Sequence, residues 1–329
     1  MFPLPRDRAL FFLIATTTIY GCSPPVSIAR SAASVSSPSA APVEVPLERA
    51  RGYALIPVAI GGQDSLWFVL DSAAGSSVIS PATRDLLGLK PDSGTTATVT
   101  GASGDSNFQA FELDSLSVGG LVRRNVGVVV VDLARFESQE PGRTFAGILG
   151  NDFLRHFDFV LDLPHGVLRL FPRGGGGQHS IARLDTLACV PNLADDPGWI
   201  VMDVAVEGTP VRAIVDTGAG RSVFNWVAGR QAGITPESPG VRKSDNSARG
   251  LGTQAAETYL YSFERVEAGP TRFRRTESRI ADISVFQALG LDKRPAVIFG
   301  TNYLEDRALV VSYTTDQICF SDPIAAAAP

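Results

Sequence analysis

The sequence predicts an all-β protein built as two copies of one lobe, with few and short helices. Three observations carry that expectation. First, an apolar run that breaks at an acidic turn occurs twice. Residues 66–80 (LWFVLDSAAGSSVIS) lie over residues 211–225 (VRAIVDTGAGRSVFN) without a gap, pairing Asp71 with Asp216, Ser72 with Thr217, Ala74 with Ala219 and Val78 with Val223 at an offset of 145 (216 − 71). Second, Ile148-Leu149-Gly150 with Phe153-Leu154 matches Ile298-Phe299-Gly300 with Tyr303-Leu304 at an offset of 150 (300 − 150), and the register continues through Val160/Val310 to Leu170/Phe320. Third, 32 Gly and 22 Pro in 329 residues suit many short strands and turns, while an apolar share of 44% is ample for a packed core. A two-copy repeat this long points to duplicated lobes rather than a solenoid.

In chain order, residues 1–22 read as a targeting segment. Arg6 and Arg8 precede an apolar stretch over 9–20 that is too short to span a bilayer. Ile19-Tyr20-Gly21-Cys22 resembles a bacterial lipoprotein box, which implies cleavage before Cys22 and acylation of its thiol; a plain secretory signal with an incidental Cys is the alternative. In that pattern Ser23 after the Cys favours the outer membrane, so the expected location is the cell envelope. Residues 23–50, rich in Ser, Ala and Pro, read as a disordered tether.

The first lobe is expected over 51–173. Strands at 53–60 and 66–70 lead to Asp71, and Ser80-Pro81 forms the N-cap and first turn of a short helix ending near Gly88. Strands follow at 95–100, 108–118 and 126–131, and a hairpin over 157–163 and 167–171 turns at Pro164-His165-Gly166. Four glycines at 174–177 lack the Gly-Lys-[Ser/Thr] exit of a phosphate cradle, so 174–180 reads as a linker. The second lobe, 181–322, repeats the order: strands at 199–206 and 211–215 to Asp216, a short helix capped by Asn225, strands at about 259–267 and 271–276, and a closing hairpin.

These residues resemble the aspartic peptidases, both the viral retropepsins and the two-lobed pepsins. That family carries, once per lobe, a strand, then Asp-[Ser/Thr]-Gly-[Ala/Ser/Thr], then an apolar-apolar-Gly element. Asp216-Thr217-Gly218-Ala219 with Ile298-Phe299-Gly300 fits fully; Asp71-Ser72-Ala73-Ala74 with Ile148-Leu149-Gly150 fits except at Ala73. The resemblance covers roughly 52–172 and 198–320. It implies two retropepsin-like β-barrel lobes related by a pseudo-twofold axis and a monomeric endopeptidase acting on peptides or proteins. Asp71 and Asp216 are then the catalytic pair, with no metal and no cofactor.

Two carboxyls sharing one site cannot both ionise cheaply, so one pKa falls and the other rises. The ionised member takes a proton from water and the protonated one polarises the scissile carbonyl. The resemblance further implies that the hydroxyls of Ser72 and Thr217 cross-link the two loops and that Gly218 lets backbone approach the carboxyls. A methyl group at Ala73 is tolerated there if φ is negative, or else pushes the pair apart. Alanine at 74 and 219 has no hydroxyl to stabilise a carboxylate, so activity is expected at mildly acidic to neutral pH. The small-residue tip Gly101-Ala102-Ser103-Gly104 and the loop with Gly250-Leu251-Gly252 are the candidate substrate-covering flaps.

Other classes fit less well. A net charge of −5 argues against nucleic acid. His156, His165 and His179 are the only histidines and have no zinc-type spacing; no Gly-x-Ser-x-Gly elbow is present. Cys189 and Cys319 could pair after export or remain free thiols. A catalytically silent peptide-binding protein of the same fold is the competing expectation, with Ala73 in its favour.

Overall fold

The structure, a computed structural model, describes residues 13–14, 42–50, 52–90, 96–101, 104–133, 145–173, 187–195, 198–244 and 256–324. Cys22, Ala102, Ser103, Gly250, Leu251, Gly252 and the 174–180 linker lie outside the described residues. Within the stretch read as a targeting segment, Leu13–Ile14 pairs antiparallel with Thr100 and Gly101.

In the first lobe, Tyr53–Ile60 and Gln63–Leu70 form a hairpin. Burial along the second strand rises toward its end: Phe68 and Leu70 enter the main core, while Val69 faces a second apolar cluster with Val78 and Ile148. With both faces covered, the strand fixes the position of Asp71, the next residue. Gly147–Leu149 runs parallel to it, and Val78–Ile79 lies antiparallel to Gly147–Leu149. The sheet continues through Leu121–Val130 to Gly104–Val118, which pairs back onto Tyr53–Ile60 and closes a barrel.

The second lobe repeats the plan. Val201–Val206 and Thr209–Val215 form the hairpin, Ala296–Phe299 runs parallel to Thr209–Val215, and Val223–Phe224 is antiparallel to Ala296–Phe299. The short helices also correspond. Ser80 accepts from Thr83 N–H to cap Pro81–Leu86, and Asn225 accepts from Ala228 N–H to cap Trp226–Gln231.

A six-stranded antiparallel sheet joins the lobes, in the order Ala188–Pro191, Gln317–Phe320, Ala308–Ser312, Phe157–Asp162, Val167–Pro172, Val43–Pro46. At its centre Val160 lies opposite Val310, its own counterpart in the repeat. The pseudo-twofold axis therefore passes through that pair. The symmetry extends to the outer strands. Cys189 stands opposite Cys319 and bonds to it, and at the matching place in the first lobe Glu44 stands opposite Arg169 and pairs with it at 2.8 Å.

Two expectations change. The tether does not reach residue 50, because Val43–Pro46 completes the interlobe sheet and Glu48–Ala50 pairs with Tyr53–Ile60. The single strand expected at about 259–267 is two, Tyr259–Tyr261 and Val266–Ala268. The Glu207 carboxylate accepts from the N–H groups of Glu264 and Arg265, giving them a partner outside any ladder. The helix Ser284–Ala288 is an addition that the sequence pattern did not suggest.

Candidate active site

The two acidic turns meet between the lobes. The parallel strand pairs hold each turn by its first residue: Asp71 N–H donates to Leu149 O at 3.0 Å, and Asp216 N–H donates to Phe299 O at 2.9 Å. The residues after them cross-link the turns. Ser72 N–H donates to Thr217 Oγ1 at 3.0 Å, and Thr217 N–H donates to Ser72 Oγ at 3.1 Å. Each hydroxyl then donates onward across the lobe boundary, Ser72 to Val215 O at 2.9 Å and Thr217 to Leu70 O at 2.8 Å. Four buried hydrogen bonds thus lock the turns in register.

Asp71 and Asp216 are both fully buried, at 0% exposure. Each carboxyl accepts a backbone N–H two residues on: Ala73 N–H to Asp71 Oδ1 at 2.9 Å, Gly218 N–H to Asp216 Oδ1 at 2.8 Å. The other oxygens, Asp71 Oδ2 and Asp216 Oδ2, are buried without a hydrogen-bond donor. Such orphans are rare in folded proteins, and the two carboxyls that carry them influence each other's proton affinity.

Gly218 and Ala73 occupy equivalent places but different surroundings. A Cβ on Gly218 would lie 2.4 Å from Asp71 Cγ and 2.5 Å from Asp71 Oδ2, so only glycine fits. Ala73 has no positive φ, and its methyl packs in the second lobe's apolar cluster with Ala219, Ile283 and Ile298. The departure from the repeat at Ala73 is therefore absorbed by packing and leaves the N–H···carboxylate bond intact. Ala74 packs in the corresponding cluster of the first lobe.

Burial is the largest influence on both acids and raises both pKa values. For Asp71 the N–H groups of Ala73 and Ala74 and the contact with Asp216 oppose it, leaving the pKa at about 6. For Asp216 the Asp71 charge and contact act in the same direction as burial, and its pKa lies well above the ordinary carboxylate range. Both carboxyls therefore hold a proton more readily than free ones, and the Asp71 charge raises Asp216 further. Two buried carboxyls that interact in this way can share one proton, one of them serving to accept and the other to donate. Among the described residues no group of three or more His, Cys, Asp or Glu could hold a metal ion.

A supporting layer went unread in the sequence. A Cβ on Gly150 would meet Ala74 O at 2.7 Å, and one on Gly300 would meet Ala219 O at 2.5 Å. Behind them Ser77 accepts from Gly150 N–H and donates to Asp152, while Ser222 accepts from Gly300 N–H and donates to Asn302. Asn151 Nδ2 donates to Ser72 O at 2.8 Å, tying the apolar-Gly element to the active turn. The repeat contained the signal, since Ser77/Ser222 align at the acids' offset of 145 and Asp152/Asn302 at the offset of 150 shared by Gly150/Gly300.

The first candidate flap is a hairpin of Thr96–Gly101 and Gly104–Val118, with Gly101 opposite Gly104. Its first strand comes against the helix Ser284–Ala288 of the other lobe. That helix contributes Val285 and Phe286 to the cluster around Ala73, so the hairpin crosses the lobe boundary beside the acids.

A family model described as aspartyl protease matches the chain twice, over residues 56–153 and 202–303. Each match contains one acidic turn and one apolar-Gly element. No curated protein matches the chain.

Proposed function

Because the chain belongs to the aspartyl protease family, we propose that it is an aspartic endopeptidase in which Asp71 and Asp216 activate a water against a peptide bond. The observation that carries this reading is the pair of buried carboxyls, each with one donor-free oxygen, on turns locked together through Ser72 and Thr217. A water between them loses a proton to Asp71 while its oxygen attacks the carbonyl carbon. The carbonyl oxygen takes the proton of Asp216, giving a neutral diol. When the C–N bond breaks, Asp71 returns its proton to the leaving nitrogen and Asp216 recovers one from a diol hydroxyl. Both carboxyls belong to one chain, so a monomer suffices.

The test is cleavage of casein and of a peptide library by the wild type, Asp71→Asn and Asp216→Asn, with folding checked by thermal melting. Loss of cleavage in both folded variants supports the peptidase. Equal rates in all three chains mean a silent binding protein. The location follows from the reading of the N-terminus: we place the enzyme in the cell envelope, held by a lipid on Cys22. Cys22→Ala then moves it from the membrane to the soluble fraction.

A further inference from the structure

The lobes reverse their charges at one place in the repeat. At the 150 offset Arg155 and His156 stand where the second lobe has Glu305 and Asp306, and Arg124 corresponds to Arg274. The structure keeps this offset, since Val118 pairs with Leu121 as Ala268 pairs with Thr271. In the second lobe the charges are balanced. Glu305 takes Arg49 at 3.2 Å and Arg274 at 3.1 Å, and Asp306 takes Arg307 at 3.1 Å. In the first lobe the corresponding acids are missing.

Cations gather there around His156 instead. Arg155 follows the helix Asn151–Leu154 as its C-cap, and a Cβ on Gly198 would meet its Cδ at 3.3 Å. Arg173 donates to Arg155 O at 3.1 Å and to Tyr313 O at 3.0 Å. Arg123 comes from the strand Leu121–Val130. Burial, then the charges of Arg123, Arg155 and Arg173, press the His156 pKa down to about 4. Burial, then the Arg155 charge, lowers that of Arg123 too. Neither Arg123 nor Arg155 forms an ion pair with a described acid. Asp152, whose charge reaches both, is buried, and its Oδ1 already accepts from Ser77 Oγ at 2.8 Å and Phe153 N–H at 3.1 Å. Asp158 is taken up by Ser312 Oγ at 3.0 Å and Thr314 N–H at 3.1 Å, and burial keeps the proton on Tyr313. Three guanidiniums against Asp152 leave two positive charges uncompensated, at a place where Arg155 and Arg173 are exposed. Like charges so gathered repel unless an anion lies among them.

We propose that Arg123, Arg155 and Arg173 form a binding site for a doubly charged phosphate group, free or at the end of a phosphomonoester lipid, which supplies the negative charge that Glu305 and Asp306 supply in the second lobe. Guanidinium forks suit such an oxyanion, because their paired N–H donors match its oxygens. An anion among them favours the charged imidazole, so binding pulls the His156 pKa up.

The experiment titrates inorganic phosphate into the full chain at constant ionic strength, balanced with NaCl. Binding is read by calorimetry and by the NMR titration of the His156 ring. The variants are Arg155→Glu, which installs the residue of the second lobe, and Arg123→Gln. Phosphate should raise the His156 pKa by about one unit or more, while His165, held by Asp162, does not move. Each variant should weaken binding about tenfold or more. Melting curves check folding, and if Arg155→Glu misfolds, Arg123→Gln decides. A second arm uses phosphatidylcholine vesicles with and without phosphatidic acid. Binding to the acidic vesicles alone, weakened by the variants and without response to free phosphate, assigns the site to a lipid. A response to free phosphate assigns it to the phosphate group itself. Binding that neither variant weakens, or no binding of either probe with the His156 pKa unmoved, overturns the proposal. These readouts do not use cleavage, so the peptidase reading stands or falls separately.

Discussion

Ser72 and Thr217 each hold the other's backbone: the N–H of one bonds the hydroxyl of the other at 3.0 and 3.1 Å, and both hydroxyls donate to carbonyls of the opposite lobe. Ser72→Ala leaves Thr217 N–H and Val215 O buried without these partners. Summing two lost bonds gives a destabilisation of roughly 2–4 kcal/mol. Thr217→Val does the same to Ser72 N–H and Leu70 O. Because the turns carry the acids, small displacements lower activity too, by about 10²-fold. Denaturant melts and kcat/KM of the single and double variants check this. Once one hydroxyl is lost the other has less to hold, so the two effects should be strongly non-additive. Simple additivity would mean that the turns are held elsewhere.

Ala73→Gly and Gly218→Ala should have opposite characters. The Ala73 methyl is 2% exposed and packed, and its N–H already reaches Asp71. Removing it leaves a small void and a looser turn, lowering stability by about 1 kcal/mol with no more than a roughly twofold change in activity. Gly218→Ala puts a methyl against the Asp71 carboxyl, and displacement of the acid should abolish cleavage. A large gain in activity for Ala73→Gly would show that the methyl holds the acids apart.

The pair also sets a pH dependence. A carboxyl whose pKa is raised by folding binds its proton more tightly in the native chain than in the unfolded one. Stability is then greatest below the unfolded value near 4 and falls as pH rises through about 6 for Asp71. Asp216 acts in the same sense at higher pH. Asp71→Asn should therefore raise the melting temperature more at neutral pH than at pH ~4, with about 3 kcal/mol available from the Asp71 shift alone. In the proposed mechanism activity needs Asp71 ionised and Asp216 protonated. It should fall on the acid side below about 6 and on the alkaline side as Asp216 loses its proton, giving a bell whose limbs belong to the pair. A profile confined to strongly acidic pH contradicts this.

The duplication made the paired lobes legible, because strands that end at Asp71 and Asp216 recur at one spacing and each is buried on both faces. The N-caps at Ser80 and Asn225 were legible for the same local reason. Less readable were features set by distant contacts. Glu207 breaks the strand near Glu264 from 57 residues away, and Val43 enters a sheet whose nearest partner is Leu170. The fate of Ala73 depended on the other lobe's packing, which spacing alone does not reveal.

The outer strands of the interlobe sheet allow a comparison of two cross-links at one place in the repeat. Cys189–Cys319 closes 130 residues of chain, and Glu44–Arg169 is an ion pair whose side chains are 60% and 31% exposed. A surface ion pair contributes about 0–1 kcal/mol, since water screens it and two long side chains must be held still. A disulfide across so long a loop restricts the unfolded chain instead, and the chain-entropy account gives about 4–5 kcal/mol. Cys189 is exposed, so reductant can reach the bond. Reduction, or the Cys189→Ala/Cys319→Ala double variant, should lower the melting temperature by roughly 10 °C. Glu44→Ala should move it by no more than about 3 °C. Equal shifts for both changes would mean that the strand pairing, rather than the link across it, holds these edges in place.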